Sequence, residues 1–208
     1  MLLTAFPDLR DMRVLDLGGT ATAWRPSPDR PYSCPVRPAH VTVVNYDEDD
    51  VQVYGAESEV QDESLSIVVG DACDASAALT SAGVRTDFDL IYSNSLIEHV
   101  GGHSRRLELV KEIRRLGPKH WVQVPYQYFP IEPHWLFPGM QFMPTNVRIK
   151  IARNWPLAPN SLDPESAHEF VLSTELLSFT EMQGYFPDSK ILRENFLGMP
   201  KSIIAVKA

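Results

Sequence analysis

Apolar positions along the chain fall into short runs, each closed by a glycine, a proline or a small polar residue. Met12–Leu17 stops at Gly18-Gly19, and His40–Tyr46 carries Val41, Val43 and Val44 before the acidic tract Asp47–Asp50. Leu65–Val69 is closed by Gly70-Asp71, Phe88–Tyr92 by Ser93-Asn94-Ser95, and His120–Val124 by Pro125. Such short apolar runs predict strands buried on both faces. Lys190–Phe196 and Ser202–Val206, joined by a loop with Gly198 and Pro200, predict two more strands. Helical spacing is clearest over Arg105–Leu116, where Leu107, Val110, Ile113 and Leu116, with Leu109, form a stripe. Ser104 is its expected N-cap and Gly117-Pro118 its stop. Shorter helices are expected over Ala75–Ala82, Asn146–Asn154 and Phe179–Tyr185, the last opened by a capping-box pair, Ser178 and Glu181.

Strands alternating with helical or loop crossovers predict an α/β fold, a mostly parallel sheet covered on both faces. The final two strands have no helix between them, so they are expected to pair antiparallel. Two stretches stand apart. Arg25–Pro38 holds Pro26, Pro28, Pro31, Pro35 and Pro38 and is read as a loop. Tyr126–Ser161 is rich in proline and aromatics, among them Tyr126, Tyr128, Phe129, Trp135, Phe137, Phe142 and Trp155. It leaves the fifth strand directly, so it is expected to arch over the carboxyl edge of the sheet. The reading is one domain, residues 1–208, with residues 125–161 as a substrate-side insertion.

Composition narrows the function classes. Of 208 residues, 44% are hydrophobic and 22% charged, which suits a globular domain with a substantial core. A net charge of -8 opposes broad nucleic-acid binding. The two cysteines, Cys34 and Cys73, have neither metal-type spacing nor a partner framework, and are read as reduced thiols of a cytoplasmic protein. Asp8, Arg10 and Asp11 follow Met1-Leu2-Leu3 too soon for a signal peptide. No apolar run approaches the roughly 20 residues a membrane span needs, so no transmembrane segment is expected.

Sheets of this kind bind ligands at the carboxyl ends of their strands, and four of those ends carry small or polar groups. Asp16, Gly18 and Gly19 close the first, where missing side chains let a ligand approach backbone amides. Asn45, Tyr46 and Asp47 close the second and suit a ribose. Gly70, Asp71, Ala72 and Cys73 close the third, with Asp71 able to accept from a purine amine. Ser93, Asn94 and Ser95 close the fourth. The Gly-x-Gly-x-x-Gly turn of a nicotinamide-binding dehydrogenase is not supplied by Gly18-Gly19-Thr20-Ala21-Thr22.

Taken in order, these segments resemble the class I S-adenosylmethionine-dependent methyltransferases. Val14–Gly19 resembles their motif I, Gly70-Asp71-Ala72 their adenine-binding motif, and Phe88–Val100 their motif IV strand with the turn after it. The resemblance implies a Rossmann-like, seven-stranded sheet and S-adenosyl-L-methionine as methyl donor. It places Asp16, Gly18 and Gly19 at the methionine end and Asn45, Tyr46 or Asp47 at the ribose. Asp71 and Ala72 would meet the adenine, with Cys73 beside them, and Ser93 and Asn94 would line the floor beneath the sulfonium. Two positions depart from the pattern. Thr20 stands where a third glycine is common, and Asn45 where an acid usually ends the second strand. Either Asp47 takes the acid's place or cofactor affinity is modest, since a neutral acceptor holds a hydroxyl less strongly.

Methyl transfer from a sulfonium needs mainly alignment, with a general base where the acceptor requires one. The base candidates near the strand ends are Glu98, His99, His103, Glu132 and His134, of which His134, His99 and Glu132 are the chosen set. His99 and His103 have a helical metal spacing, but Gly101-Gly102 between them breaks a helix, so no metal site is expected. The aromatic insertion is either a satellite core or an apolar pocket for a small-molecule or lipid-like acceptor. Arg148, Lys150 and Arg153 are read as a solvated helix face. The competing reading is a domain of the same fold that binds the cofactor, or acts as a scaffold, without turnover.

Overall fold

The computed structural model describes residues 1–25, 34–46, 64–156 and 164–208. Seven strands form one sheet: β1 (Arg13–Leu17), β2 (His40–Asn45), β3 (Leu65–Val69), β4 (Leu90–Asn94), β5 (Lys119–Pro125), β8 (Lys190–Phe196) and β9 (Met199–Lys207), in the order β3-β2-β1-β4-β5-β9-β8. The first five run parallel, and β9 lies antiparallel between β5 and β8. This is the expected Rossmann-like architecture with its antiparallel end. The β8–β9 hairpin turns through Leu197 and Gly198 alone, both at positive φ (49° and 81°). Paired left-handed residues match the right-handed twist of the strands they join, so β9 starts earlier than the apolar run at Ser202 suggests.

Alternation along the central strands divides the core between two faces. Leu15, Leu17, Ile91, Ile203 and Ala205 point to one face. There they pack under α2 (Ala75–Ser81), α3 (His103–Leu116) and α6 (Phe179–Tyr185). Val14, Val41, Val43, Leu90, Ile204 and Val206 point to the other, covered among the described residues by α1 (Leu2–Ala5) and by Phe6, Leu9 and Trp24.

Helix α3 differs in detail from the pattern. Its buried stripe is Arg106, Leu109, Val110, Ile113 and Leu116, while Leu107 is half exposed. The helix starts at His103, capped by Gly102 rather than Ser104, and position 106 lies on the buried stripe one turn before 109 and 110. The Arg106 guanidinium is satisfied there by the carbonyls of Ile97 and Glu175 and by the Glu175 carboxylate at 3.0 Å. The capping box on α6 is present as expected.

The insertion is a small folded unit. A two-residue ladder, β6 (Ile131–Glu132) with β7 (Phe137–Pro138), leads to α4 (Thr145–Ala152), which packs on α5 (Pro164–Ser173). Trp135, Met140, Ala152, Ala167 and Val171 form its core, separate from both sheet cores. The unit therefore reaches beyond residue 161. Helix α5 is absent from the sequence-based elements. Proline at its first position and the 167, 170, 171, 174 spacing were its signals, but its apolar face meets the insertion and not the sheet. Arg148 belongs to this unit too: its Nη2 donates to the Val171 and Thr174 carbonyls, so it is not part of a solvated face. Among the described residues no helix is long and apolar enough to cross a membrane.

One core contact sets an acid sensitivity. His120 is buried, with Nε2 2.8 Å from Ser189 Oγ. Burial lowers its pKa from 6.5 to about 4. The folded state therefore favours the neutral ring: its contribution is complete above the unfolded pKa and is lost as pH falls through the folded one. His120→Asn should lose about 2 kcal/mol less stability than wild type between pH 7 and pH 4.5 in urea unfolding. Parallel losses in the two proteins would refute it.

Candidate functional site

Chain order reverses beside β1, which has β2 on one side and β4 on the other. A cavity of about 330 Å³ lies at the carboxyl ends of these strands. Gly18 borders it from β1, Asn45 and Tyr46 from β2, and Asp71 and Ala72 from the turn after β3. Leu96, His99 and Val100 come from the turn after β4, and Arg105 from α3. Gly18 sits at φ 76°, and a Cβ there would lie 2.7 Å from Leu96 Cδ1. Only glycine takes that backbone without strain and leaves the opening clear.

Asn45 ties the ends of two strands together: Nδ2 donates to the Gly19 carbonyl at 3.1 Å and Oδ1 accepts from the Tyr46 N–H at 2.7 Å. Asp71 caps the turn after β3, its Oδ1 accepting from the Cys73 N–H at 2.9 Å, and its Oδ2 pairs with Arg105. Partial burial pushes the Asp71 pKa upward, but Arg105 and the Cys73 N–H together outweigh it and hold the carboxyl below its usual range. Asp71 thus stays ionised at the cavity edge. Asp47 lies outside the described residues, as do Pro26, Pro28 and Pro31 of the proline-rich loop.

Other members of the predicted set stand behind the wall. Asp16 is 1% exposed; its Oδ2 accepts from Trp24 Nε1 at 2.7 Å and its Oδ1 has no partner among the described residues. Burial raises its pKa to about 7, against the opposing Trp24 hydrogen bond. Gly19 covers it, with no room for a side chain between. Ser93 is fully buried and donates to the Leu17 carbonyl at 3.2 Å, Asn94 is exposed, and the buried Cys73 thiol donates to the Arg105 carbonyl. These five support the loops around the cavity and do not border it in this structure.

The catalytic candidates are brought together from separate elements. His99 Nε2 lies 3.1 Å from His134 Nε2, and His134 Nδ1 lies 2.6 Å from Glu132 Oε1. Glu132 Oε2 accepts from the Trp135 N–H at 2.8 Å, which fixes the carboxylate on the insertion. His99 Nδ1 is 3.3 Å from Thr174 Oγ1. Glu98 sits beside them with no exposed surface, and burial lifts its pKa to about 7. His103 does not join this group and meets the Tyr185 hydroxyl instead.

A second cavity, also about 330 Å³, lies between the insertion and helices α3 and α6. Its lining is polar: Arg106, Gln127, Glu132, Gln141, Arg148, Thr174, Glu175 and Glu181 contribute. His99 borders the first cavity, while Glu132 and Thr174 border the second, so the histidine pair stands between them. Arg105, Thr174 and Arg106 were not singled out from sequence. A charge on the buried stripe was a signal for Arg106; nothing marked Thr174, which reaches His99 across 75 positions.

No family model matches the chain, and no curated protein does. Solved structures do. A S-adenosylmethionine-dependent methyltransferase from Anabaena variabilis superimposes with a TM-score of 0.59 at 15% identity, over 98% of this chain and 80% of that one. The magnesium protoporphyrin IX methyltransferase of Synechocystis, solved with S-adenosylhomocysteine, gives 0.54 at 10% identity over 100% and 79%. The mycolic acid cyclopropane synthase CmaA1, with S-adenosylhomocysteine and CTAB, gives 0.50 at 19% identity over 93% and 60%. The chain has the Rossmann-like fold of class I methyltransferases.

Proposed function

We propose that the chain is a S-adenosylmethionine-dependent methyltransferase acting on a small-molecule acceptor. The observation that carries this reading is the cavity at the switch point of the sheet, bordered by Gly18, Asn45, Tyr46, Asp71 and Ala72 with His99 in its wall. Its chemistry fits the donor. Gly18 leaves backbone open to an amino acid end, Asn45 supplies an amide beside a ribose site, and ionised Asp71 is an acceptor for an exocyclic amine. The cofactor supplies an activated methyl group on sulfur. The protein's share is to hold both partners in line and exclude water. Similar folds act on acceptors as different as a porphyrin and a mycolic acid, so the fold does not choose the substrate.

The second cavity supports the choice of acceptor class. Arg106, Arg148 and Gln127 bring donor groups to it, and Glu132, Glu175, Glu181 and the Gln141 Oε1 bring acceptors, the Gln141 Nε2 being spent on the Gln127 and Phe129 carbonyls. Such a lining suits a compact polar molecule better than a lipid chain. His99, His134 and Glu132 stand between the two cavities, and we assign them to orient and activate the acceptor.

Calorimetric titration with S-adenosylmethionine, S-adenosylhomocysteine and NAD tests the reading. The first two should bind saturably and the third should not. Asp71→Ala should weaken S-adenosylmethionine on the order of tenfold or more, because a hydrogen bond to a charged group is worth about 1.5–3 kcal/mol. Unchanged affinity in the folded variant removes Asp71 from the adenine site, and failure of the wild type to bind removes the reading.

A further inference from the structure

Glu98, His99 and His134 place a carboxylate oxygen and two imidazole nitrogens within 4.8 Å of one another. Their partners decide what those atoms offer. The single proton of the Thr174 hydroxyl is donated to the Phe170 carbonyl at 2.7 Å, so toward His99 Nδ1 this oxygen accepts. His99 therefore carries its proton on Nδ1. His134 Nδ1 faces the Glu132 carboxylate at 2.6 Å and likewise carries a proton. With protons held on Nδ1, the Nε2 atoms of the two rings face each other 3.1 Å apart. Among the described residues, both oxygens of Glu98, which has no exposed surface, have no hydrogen-bond partner. Two Nε2 atoms and a buried unpaired carboxylate gathered in this way call for a positive charge among them, a proton or a metal ion.

We propose that Glu98, His99 and His134 form a binding site for a divalent transition-metal ion of the Zn²⁺ kind, set between the two cavities. Two imidazoles favour such an ion over Mg²⁺ or Ca²⁺. Two nitrogens bound at about 2.0–2.1 Å with tetrahedral geometry lie about 3.3 Å apart, close to the spacing of this pair. Glu132 on His134 and Thr174 on His99 are the outer partners that fix ring orientation and tautomer in metal centres. Three protein ligands leave a position open, as in sites that engage a substrate. His99 borders the donor cavity, and Glu132 and Thr174 border the polar one. The open position then suits an oxygen of the acceptor, a hydroxyl or carboxylate; this last step rests on the methyltransferase reading, whereas the metal site itself does not.

The test uses the full chain, stripped with a chelator and titrated with Co²⁺ by visible absorption and with Zn²⁺ by calorimetry. One equivalent should bind, with d–d bands of a low-coordinate cobalt centre. Glu98→Gln, which keeps shape and removes charge, and His134→Ala on the insertion should each lower affinity by on the order of a hundredfold or more. Glu132→Gln should lower it about 10–100-fold through His134. Circular dichroism establishes that each variant is folded. No saturable binding to wild type overturns the site and leaves a proton shared between the imidazoles. Undiminished binding by folded His134→Ala and Glu98→Gln overturns it equally. Acetohydroxamate should shift the cobalt bands, and absence of a shift removes the oxygen acceptor. S-adenosylmethionine titrated into the stripped protein reads the methyltransferase proposal independently, so either can fail alone.

Discussion

Trp135→Ala should loosen the insertion as a unit while the sheet and the donor cavity stay intact. The indole is 1% exposed and is the largest side chain of the satellite core, packed edge-on to Phe170 at 5.5 Å between centroids. Removing a buried tryptophan costs about 3–5 kcal/mol, the more so where neighbours cannot collapse into the void. Among the described residues this core has five buried members with four partly buried ones packed against them, so it has little reserve to absorb that loss. Neither sheet cluster includes Trp135, which confines the damage. Exchange of amide protons over residues 131–152 and 164–174 should accelerate about a hundredfold or more, with the protection of β1, β4 and β5 unchanged. The affinity for S-adenosylmethionine should hold within about twofold, while acceptor turnover collapses because His134 and Glu132 lose their place. A uniform rise in exchange across the sheet would show that the insertion and the sheet are one cooperative unit.

Gly19→Ala should damage the molecule at its centre. A Cβ on residue 19 would lie 1.8 Å from Asp16 Oδ2 and 2.3 Å from its Cγ. Asp16 cannot give way freely, since that same oxygen accepts from the buried Trp24 indole and the strand is flanked on both sides. Yielding means breaking the hydrogen bond inside the core, at about 1–3 kcal/mol for the unsatisfied groups. Shifting the backbone adds about 1–3 kcal/mol more. The total loss should therefore be about 3 kcal/mol, and cofactor affinity should fall with it because the Gly19 carbonyl anchors Asn45. Gly184→Ala is the contrast. It lies on the exposed side of helix α6, where a Cβ meets nothing within 4 Å, and alanine is the better helix former by about 1 kcal/mol. Guanidinium unfolding of both variants should move in opposite directions. Equal small effects would mean that Asp16 has freedom the packing does not indicate.

The two results would separate what the strands define from what the insertion adds, and that division follows how far the sequence could be read. Val14, Leu15 and Leu17, Val41, Val43 and Val44, and the runs after Phe88 and His120 announce buried parallel strands, because a strand covered on both faces must be apolar along its length. The absence of a helix between Phe196 and Ser202 dictated the antiparallel return. Gly18, Asn45, Tyr46, Asp71 and Ala72 were legible as one cavity because strand ends share an edge whatever the loops do.

Tertiary structure decided the rest. Asp16 and Gly18 are two positions apart in the chain, yet one is sealed beneath Trp24 and the other opens on the cavity. That choice depends on which face of the sheet the turn covers. Arg106 lies on the apolar stripe by spacing, but its charge can sit there only because packing brings the Ile97 and Glu175 carbonyls and the Glu175 carboxylate to it. Helix α5 carries apolar residues at helical spacing, but the face they make is covered by Trp135 and Met140 of the insertion and not by the sheet. The meeting of Glu98 and His99 with His134 and Thr174 spans three elements, and periodicity carries no record of it. Local pattern determines strands, their ends and the pocket those ends enclose. Contacts between residues far apart in sequence, which depend on packing alone, decided the chemistry set beside that pocket.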